Sequence, residues 1–588
     1  MIDTPRVGLF VCHCGSNIAG PVDVESVADY GLTLPGVVFV QRNLYSCSDA
    51  GLREIKEAIA DQRLDRVVVA ACTPRTHEPL FQDACREADL NPYLLEFVNI
   101  RDQCSWVHMR EPEAATRKAQ DLVRMGVAKA RLLEPLEEQQ VPVEPAALVI
   151  GGGMIGMTAA LNLANRGFAV MLVEREAELG GMMLRLHTLY PTADDPRKVV
   201  QERIAEVQRH DGIEVCTSTV VSSVKGFVGN YEVTIEEMGP GQSNALETGD
   251  DSHPSVDAPI PRSATAGVII VATGARVLEP EGMYGYDGRR VITQLELEER
   301  LRTDQLDAGR VVMIQCVGAR SAERPYCSRI CCTTAIKNAL EINDRCSGVE
   351  VYILYRDAET QGPRYEAIYG QAREAGVHFI RYDLGRPPEV TEERVLVYDE
   401  MLGATLSIPC DMVVLSTPLV APSGARELAQ MLKVPVDEYG FFLEAHVKLR
   451  PLDFATEGIY VAGTARWPSH LEETIVQAYG AAARASTILS KEHVTSSGIV
   501  ARVNGHLCRG CGRCVEICEF GAPTLEEASS GMKGAHVNAV MCKGCGTCAA
   551  ICPTGAMQAC HFTDAQVAAM VRAALEPSVA SLASGNPS

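Results

Sequence analysis

The chain alternates short apolar runs with amphipathic segments of helical period. Residues 7–11, 37–40, 66–71 and 94–98 are apolar runs of strand length. Helical patterns lie between them, as over residues 52–60, and a charged helix is expected over 113–133. This alternation predicts a small α/β domain over residues 1–133. The Pro-containing stretch 134–145 reads as a linker.

Residues 146–495 repeat the strand–helix–strand rhythm and predict two interleaved dinucleotide-binding units. Within them, 239–266 is rich in Gly, Ser, Pro and Asp and reads as a surface excursion. Residues 498–562 form a compact cysteine repeat. The tail, 563–588, starts as a short helix and ends in small residues, which predicts fraying.

Bulk properties narrow the function classes. At 588 residues the chain exceeds a single core. Its 46% apolar and 22% charged content is ordinary for a globular protein. No apolar run is long enough to span a bilayer, and the first residues carry no secretory pattern, so a cytoplasmic protein is expected. A net charge of -22 disfavours nucleic acid and anionic lipid as partners. The 22 cysteines are the unusual feature, and in such a chain clustered cysteines point to metal. Cys85, Cys216, Cys346, Cys410 and Cys560 stand apart and read as small buried hydrophobes.

The repeat near the C-terminus is the most specific motif. Cys508, Cys511, Cys514 and Cys518 have the spacing of a bacterial ferredoxin, and Cys542, Cys545, Cys548 and Cys552, followed by Pro553, repeat it. Three closely spaced cysteines wrap one cubane, and the fourth reaches the other. Cys508, Cys511, Cys514 and Cys552 should hold one [4Fe–4S] cluster, and Cys542, Cys545, Cys548 and Cys518 the second. A zinc ribbon would need only two Cys-x-x-Cys pairs.

An apolar strand, 148–150, runs into Gly151-x-Gly153-x-x-Gly156, and a helix and a second strand ending at Glu174 follow. The glycines allow a tight turn and let a pyrophosphate approach the helix N-terminus, and the acid suits a ribose hydroxyl. Gly180 and Gly181 follow the acid. Ala272, Thr273 and Gly274 end a later strand, and Gly463 and Thr464 follow another. In this order the segments resemble a thioredoxin-reductase-like flavoprotein with two dinucleotide-binding domains. The resemblance implies FAD.

In the second unit the strand 311–314 meets no G-x-G-x-x-G. Cys316 occupies the turn, and Cys327, Cys331 and Cys332 follow at the start of a helix. These four thiols are expected to hold a further [4Fe–4S] cluster at a helix N-terminus. The alternatives are a degenerate nucleotide loop and a strained vicinal disulfide between Cys331 and Cys332. Cys12, Cys14, Cys47, Cys72 and Cys104 each follow an apolar run. Strand ends share one edge of a parallel sheet, which predicts a cluster held by Cys47, Cys72, Cys104 and either Cys12 or Cys14. The other reading is buried structural cysteine. For His13, His77 and His108 the readings are support of the cluster ligands or ordinary core or surface histidine, the second favoured for any one.

Taken with the segments at 11–18, 71–78, 91–94 and 104–108, these motifs resemble the HdrA family of heterodisulfide reductase flavoproteins, over nearly the whole chain. The resemblance implies an α/β flavoprotein with an N-terminal α/β domain and a C-terminal 2[4Fe–4S] ferredoxin domain. It implies an oxidoreductase with FAD and about four [4Fe–4S] clusters per chain. The expected activity is flavin-based electron bifurcation or confurcation. The expected partners are HdrB- and HdrC-like subunits, a hydrogenase- or dehydrogenase-linked MvhD-like subunit, ferredoxin and a second copy of the chain. It also implies that Lys337 lies near the flavin. The methanogen members insert another ferredoxin in the FAD domain, whereas residues 186–266 here contain only Cys216. An NAD(P)H oxidoreductase and a plain electron relay are the alternatives.

Overall fold

The computed structural model describes residues 4–239, 261–346, 348–527 and 533–575. They fall into two compact units, Met1–Val141 with Thr495–Ser588, and Pro142–Val494.

The first unit is built on a four-stranded parallel sheet in the order Val37–Asn43, Val7–Cys12, Arg66–Ala71, Leu95–Asn99. Its central strands are apolar throughout because helices cover both faces. Val24–Leu32 and Pro112–Ala130 pack against Val7, Leu9 and Val11. Asp49–Asp61 and Pro74–Glu87 pack against Phe10, Val67 and Val69.

The cysteine repeat belongs to this same unit, although the sequence suggests separate domains. Its two short hairpin-like pairs are Ala501–Val503 with Met557–Ala559 and Pro523–Glu527 with Lys533–Val537. His561 Nε2 donates to the Leu95 carbonyl at 3.2 Å, and Gly498 N donates to Tyr93 Oη at 2.7 Å. The tail starts as the expected helix, Asp564–Leu575. Its Ala573 carbonyl accepts from Arg124 Nε at 2.6 Å, and Gln566 Nε2 donates to the Leu132 carbonyl at 2.9 Å. These contacts hold the helix to Pro112–Ala130, so the described part of the tail is docked. Residues 576–588, where fraying is expected, lie outside the described residues.

The second unit contains two halves of the same design. The first has a five-stranded parallel sheet in the order Ile459–Val461, Val268–Val271, Ala146–Ile150, Ala169–Val173, Ile213–Cys216. The second has the order Val291–Thr293, Met412–Leu415, Arg310–Ile314, Glu350–Tyr355, His378–Arg381. Each half adds a three-stranded antiparallel sheet. In the first half that sheet uses Arg262–Ala266, paired with Asn230–Glu237. The end of the segment expected as an excursion is therefore a strand, and its alternating Ser, Ala and Thr side chains suit one. The rest of that segment, 240–260, lies outside the described residues. Among the described residues no helix is long and apolar enough to cross a membrane.

Candidate functional site

The strand Ala146–Ile150 ends in Gly151, whose φ of 110° favours glycine. The helix Met154–Ala164 starts directly afterwards with Gly153 as its N-cap and no acidic residue in its first turn. A Cβ on Gly156 would lie 1.7 Å from the Gly151 carbonyl oxygen, so helix and strand touch there. A Cβ on Gly153 would meet no protein atom within 4 Å. That glycine opens onto a long cleft, where free helix N–H groups suit a pyrophosphate.

The buried Glu174 carboxylate accepts from the backbone N–H of Gly152 through Oε2 and of Glu176 through Oε1, and it lines the same cleft. Gly180 and Gly181, both at positive φ, bring the next turn against Gly153. Ala272, Thr273 and Gly274 form another part of the wall, and Gly463 and Thr464 a further part. Gly463 N donates to Gln477 Oε1 at 2.9 Å. Every residue expected to bind FAD other than Gly156, which packs behind the turn, lines this one cleft. The side-chain oxygens of Thr188, Thr273, Thr417 and Ser469 are buried in its wall without a protein partner. A polar ligand that supplies their missing hydrogen bonds fits this cleft.

The second half meets the cleft through the helix Cys331–Arg345. Cys316 follows the strand Arg310–Ile314 at φ 61°, in the turn where a nucleotide-binding glycine is expected. Burial pushes the Cys331 thiol up strongly, and the neighbouring Cys332, Cys327 and Cys316 add to this. Cys332 is pushed up to about 12, chiefly by burial, with Cys316 and Cys327 contributing. The four thiols thus lie near one another, and Cys331 also lines the cleft. Thiols gathered here, with Cys331 and Cys332 held un-ionised by burial, form a donor set that cationic iron would relieve.

Lys337 lies one and a half turns further along that helix. Its Nζ donates to the Thr188 carbonyl at 3.0 Å and pairs with the Glu298 carboxylate. Both residues line the cleft. Burial lowers the Lys337 pKa, and Glu298 opposes the shift. A solvent-facing helix lysine is thereby excluded.

In the ferredoxin segment the two cysteine repeats have matching backbones. Gly510 and Gly512 in one, and Gly544 and Gly546 in the other, all have positive φ. One pocket is lined by Cys508, Cys511, Cys514 and Cys552. Cys548 is pushed up to about 11, first by burial and then by Cys542, Cys545 and Cys518. The thiols therefore group across the two repeats, each fourth cysteine lying with the other three. Backbone N–H groups of Ala535 and Ala501 donate to the sulfurs of Cys508 and Cys542 at 3.4 and 3.3 Å.

At the carboxyl edge of the N-terminal sheet, Cys72 is pushed up to about 11 by burial, opposed by Arg101 and reinforced by Cys47, Cys14 and Cys12. Cys47 is raised by burial and by Cys12 and Cys14. These four thiols and Arg101 are neighbours. Cys104 is not brought to them. The π-helical turn Arg101–Ser105 directs its fully buried thiol into the opposite core, where Sγ donates to the Ala115 carbonyl at 3.0 Å. The fold thus groups Cys12, Cys14, Cys47 and Cys72 and leaves the expected Cys104 apart from them.

Among the described residues no three His, Cys, Asp or Glu side chains converge on a point as around a single ion. A cubane binds its thiolates at separate corners and needs no such convergence. Sequence reasoning did not find Glu298, Arg101 or Arg320. Glu298 sits in a run of acidic helix residues, and the two arginines carry no spacing signal.

Two families match. A pyridine nucleotide-disulphide oxidoreductase pattern covers residues 145–485, and a 4Fe-4S dicluster domain covers 507–556. The HdrA subunit of the H(2):CoB-CoM heterodisulfide,ferredoxin reductase of Methanothermobacter thermautotrophicus is 40% identical over 654 aligned positions, covering 98% of each chain. The HdrA iron-sulfur subunit of the CoB–CoM heterodisulfide reductase of Methanocaldococcus jannaschii is 38% identical, covering 89% of this chain and 92% of its own. Lactococcus lactis thioredoxin reductase covers 59% of this chain and 99% of its own at 17% identity, with a TM-score of 0.41. The 654-position alignment exceeds the 588 residues here, so that first relative carries segments absent from this chain. The chain is an oxidoreductase that belongs to the HdrA family of heterodisulfide reductase iron–sulfur flavoproteins, in a form without the inserted ferredoxin domain.

Proposed function

We propose that this chain is the electron-transfer subunit of a cytoplasmic heterodisulfide-reductase-like complex that carries out flavin-based electron bifurcation or confurcation. Electrons pass between a two-electron donor, ferredoxin-type carriers and a disulfide-reducing partner of the HdrB/HdrC type. The observation that carries the reading is Cys331, which belongs both to the central four-thiol set and to the wall of the FAD cleft. FAD, when bound, exchanges electrons in pairs or singly. The protein's part is to hold it by the Gly151–Gly156 turn and Glu174, and to place a cluster site beside it. Lys337 and Glu298 supply a paired charge in the same wall.

About four [4Fe–4S] clusters per chain fit the thiol sets. Two are in the ferredoxin segment, one is central, and one is held by Cys12, Cys14, Cys47 and Cys72. The names of the relatives, which include hydrogen, ferredoxin and CoB–CoM heterodisulfide, support a ferredoxin and a disulfide as acceptors. The hydrogen in that name supports a hydrogen-linked donor, and a hydrogenase- or dehydrogenase-linked MvhD-like subunit and a second copy of the chain complete the complex in this proposal. An NAD(P)H oxidoreductase is disfavoured, because Cys316 takes the place of the second glycine-rich turn.

The test uses the native complex. A two-electron donor should reduce ferredoxin only while a disulfide substrate is being reduced. Ferredoxin reduction at the same rate without the disulfide would overturn bifurcation and leave a plain relay. Bleaching of the flavin by NADH in the isolated chain would restore the nicotinamide reading.

A further inference from the structure

The loop between Cys316 and Cys327 carries a cation that the FAD cleft does not explain. Arg320 has a φ of 52°, a left-handed conformation uncommon for a side chain of this size. Three contacts fix it. Its N–H donates to the Tyr326 carbonyl at 3.2 Å, its carbonyl accepts from Arg356 Nη1 at 2.8 Å, and its Nη2 donates to Asp357 Oδ2 at 2.6 Å. Asp357 is also tied to the cysteine set, because its carbonyl accepts from Cys332 Sγ at 3.6 Å. One residue therefore touches a cluster thiol with its backbone and Arg320 with its carboxylate. The remaining terminal nitrogen of Arg320, Nη1, is buried with no well-formed hydrogen bond, and the guanidinium lies close enough to the Cys316 sulfur to interact with it. The guanidinium faces Cys316 and Cys327.

Charges of both signs surround the cysteine set, and Arg320 is the cation with a terminal nitrogen left over from its ion pair. Arg381 Nη2 shares Asp357 with Arg320 at 3.5 Å, so two guanidinia meet one aspartate, while Arg356 lies near Cys316 and Glu359 near Cys332. A cubane with four thiolates is anionic and gains a further negative charge on reduction. A fixed cation beside it stabilises the reduced form more than the oxidised form. Hydrogen bonds to the sulfurs act in the same direction.

We propose that Arg320, held in place by Asp357, is the potential-tuning residue of the central cluster, with its guanidinium beside Cys316. It acts through the cluster and touches neither flavin nor substrate. The proposal rests on the reading of Cys316, Cys327, Cys331 and Cys332 as cluster ligands. It adds a determinant of how readily that cluster takes an electron.

The test is an EPR-monitored redox titration of anaerobically purified full-length protein. Arg320→Gln keeps a polar side chain, shortens it and removes the charge. The midpoint of one non-ferredoxin cluster should fall by about tenfold in its reduction equilibrium, which is about 59 mV for one electron. Iron content and the other midpoints should be unchanged. Arg320→Lys keeps the charge without the planar fork and should fall part of the way. An unmoved midpoint with iron retained would overturn the proposal.

Should the Gln variant lose its cluster, wild-type protein labelled with guanidino-¹⁵N arginine decides. ENDOR should detect a ¹⁵N coupling to the reduced central cluster that disappears in Arg320→Lys. No coupling, or one that persists in the Lys variant, would overturn the proposal. Wild-type iron of about eight atoms per chain would instead remove the central cluster itself, whatever Arg320 does.

Discussion

Lys337 and Glu298 form an ion pair buried in the wall of the FAD cleft, with side chains 11% and 1% exposed. Glu298 also accepts from the His187 backbone N–H at 2.7 Å, which fixes the carboxylate. The pair is close to neutral as a unit, so the cleft is not exposed to a lone ammonium. Each partner masks the other's effect on a flavin bound there.

Removing either partner should therefore shift the flavin potential, in opposite directions. Lys337→Ala leaves a negative charge and should lower it, and Glu298→Gln leaves an ammonium and should raise it. Breaking a buried pair costs about 3–5 kcal/mol, so both single variants should also be less stable. Lys337→Met with Glu298→Gln should recover much of that loss. Redox titration and denaturation of the three variants check this. Superimposable flavin curves would mean that the pair serves packing alone.

The glycines of the first turn separate binding from folding. Gly153→Leu places its side chain in open cleft and keeps an ordinary φ of -70°, so the fold should persist while FAD binding is lost. Gly156→Ala drives a Cβ to 1.7 Å from the Gly151 carbonyl and should destabilise the unit itself. Flavin content and circular dichroism distinguish the two. Stoichiometric FAD in folded Gly153→Leu would place the flavin elsewhere.

What could be read in the sequence was local. The ferredoxin grouping follows from spacing alone, and Gly151–Gly156 with Glu174 from one strand–helix–strand segment. The parallel sheets announced themselves because strands covered on both faces are apolar throughout. Contacts between distant segments left no such trace. Lys337 meets a glutamate on another helix, and Asp564–Leu575 docks on a helix from the start of the chain. Cys104 could not be placed from sequence, because one π-helical turn decides which face its thiol takes.

In the ferredoxin segment the fourth cysteine of each repeat lies with the opposite set. Cys552→Ser should therefore perturb the same EPR signal as Cys511→Ser, and Cys518→Ser the same signal as Cys548→Ser. Paired effects within one repeat instead, Cys511 with Cys518, would contradict the shared pocket of Cys508, Cys511, Cys514 and Cys552.

His561 ties the ferredoxin segment to the N-terminal sheet and is buried. Burial, helped by Lys129, lowers its pKa from 6.5 to about 4. Between those values the unfolded chain binds a proton that the folded chain refuses, so stability rises with pH across that window. The full effect is on the order of 3 kcal/mol, present above the unfolded pKa and lost as pH falls toward 4. Denaturation of this unit between pH 4 and 7 should show the slope, and His561→Asn should flatten it. An unchanged slope in the variant would assign the acid sensitivity to other groups.

The N-terminal cysteines offer the sharpest distinction between sequence pattern and geometry. All five follow strands of one sheet, and spacing alone gives Cys104 the same standing as Cys47 and Cys72. In the fold, Cys104 is 0% exposed among Ile18, Ala115 and Ala119 and donates to the Ala115 carbonyl at 3.0 Å. Cys47 and Cys72 instead face Cys12 and Cys14, with Arg101 beside Cys72. Cys104→Ala should cost on the order of 1 kcal/mol for the lost sulfur and its hydrogen bond, and leave iron unchanged. Cys72→Ala and Cys47→Ala should each lose about four iron atoms per chain, the content of one cubane. Iron analysis of the three variants, purified without oxygen, reads the difference directly. Loss of about four iron atoms in Cys104→Ala, with Cys72→Ala intact, would return the ligand role to Cys104 and require the Arg101–Ser105 turn to rearrange around the cluster.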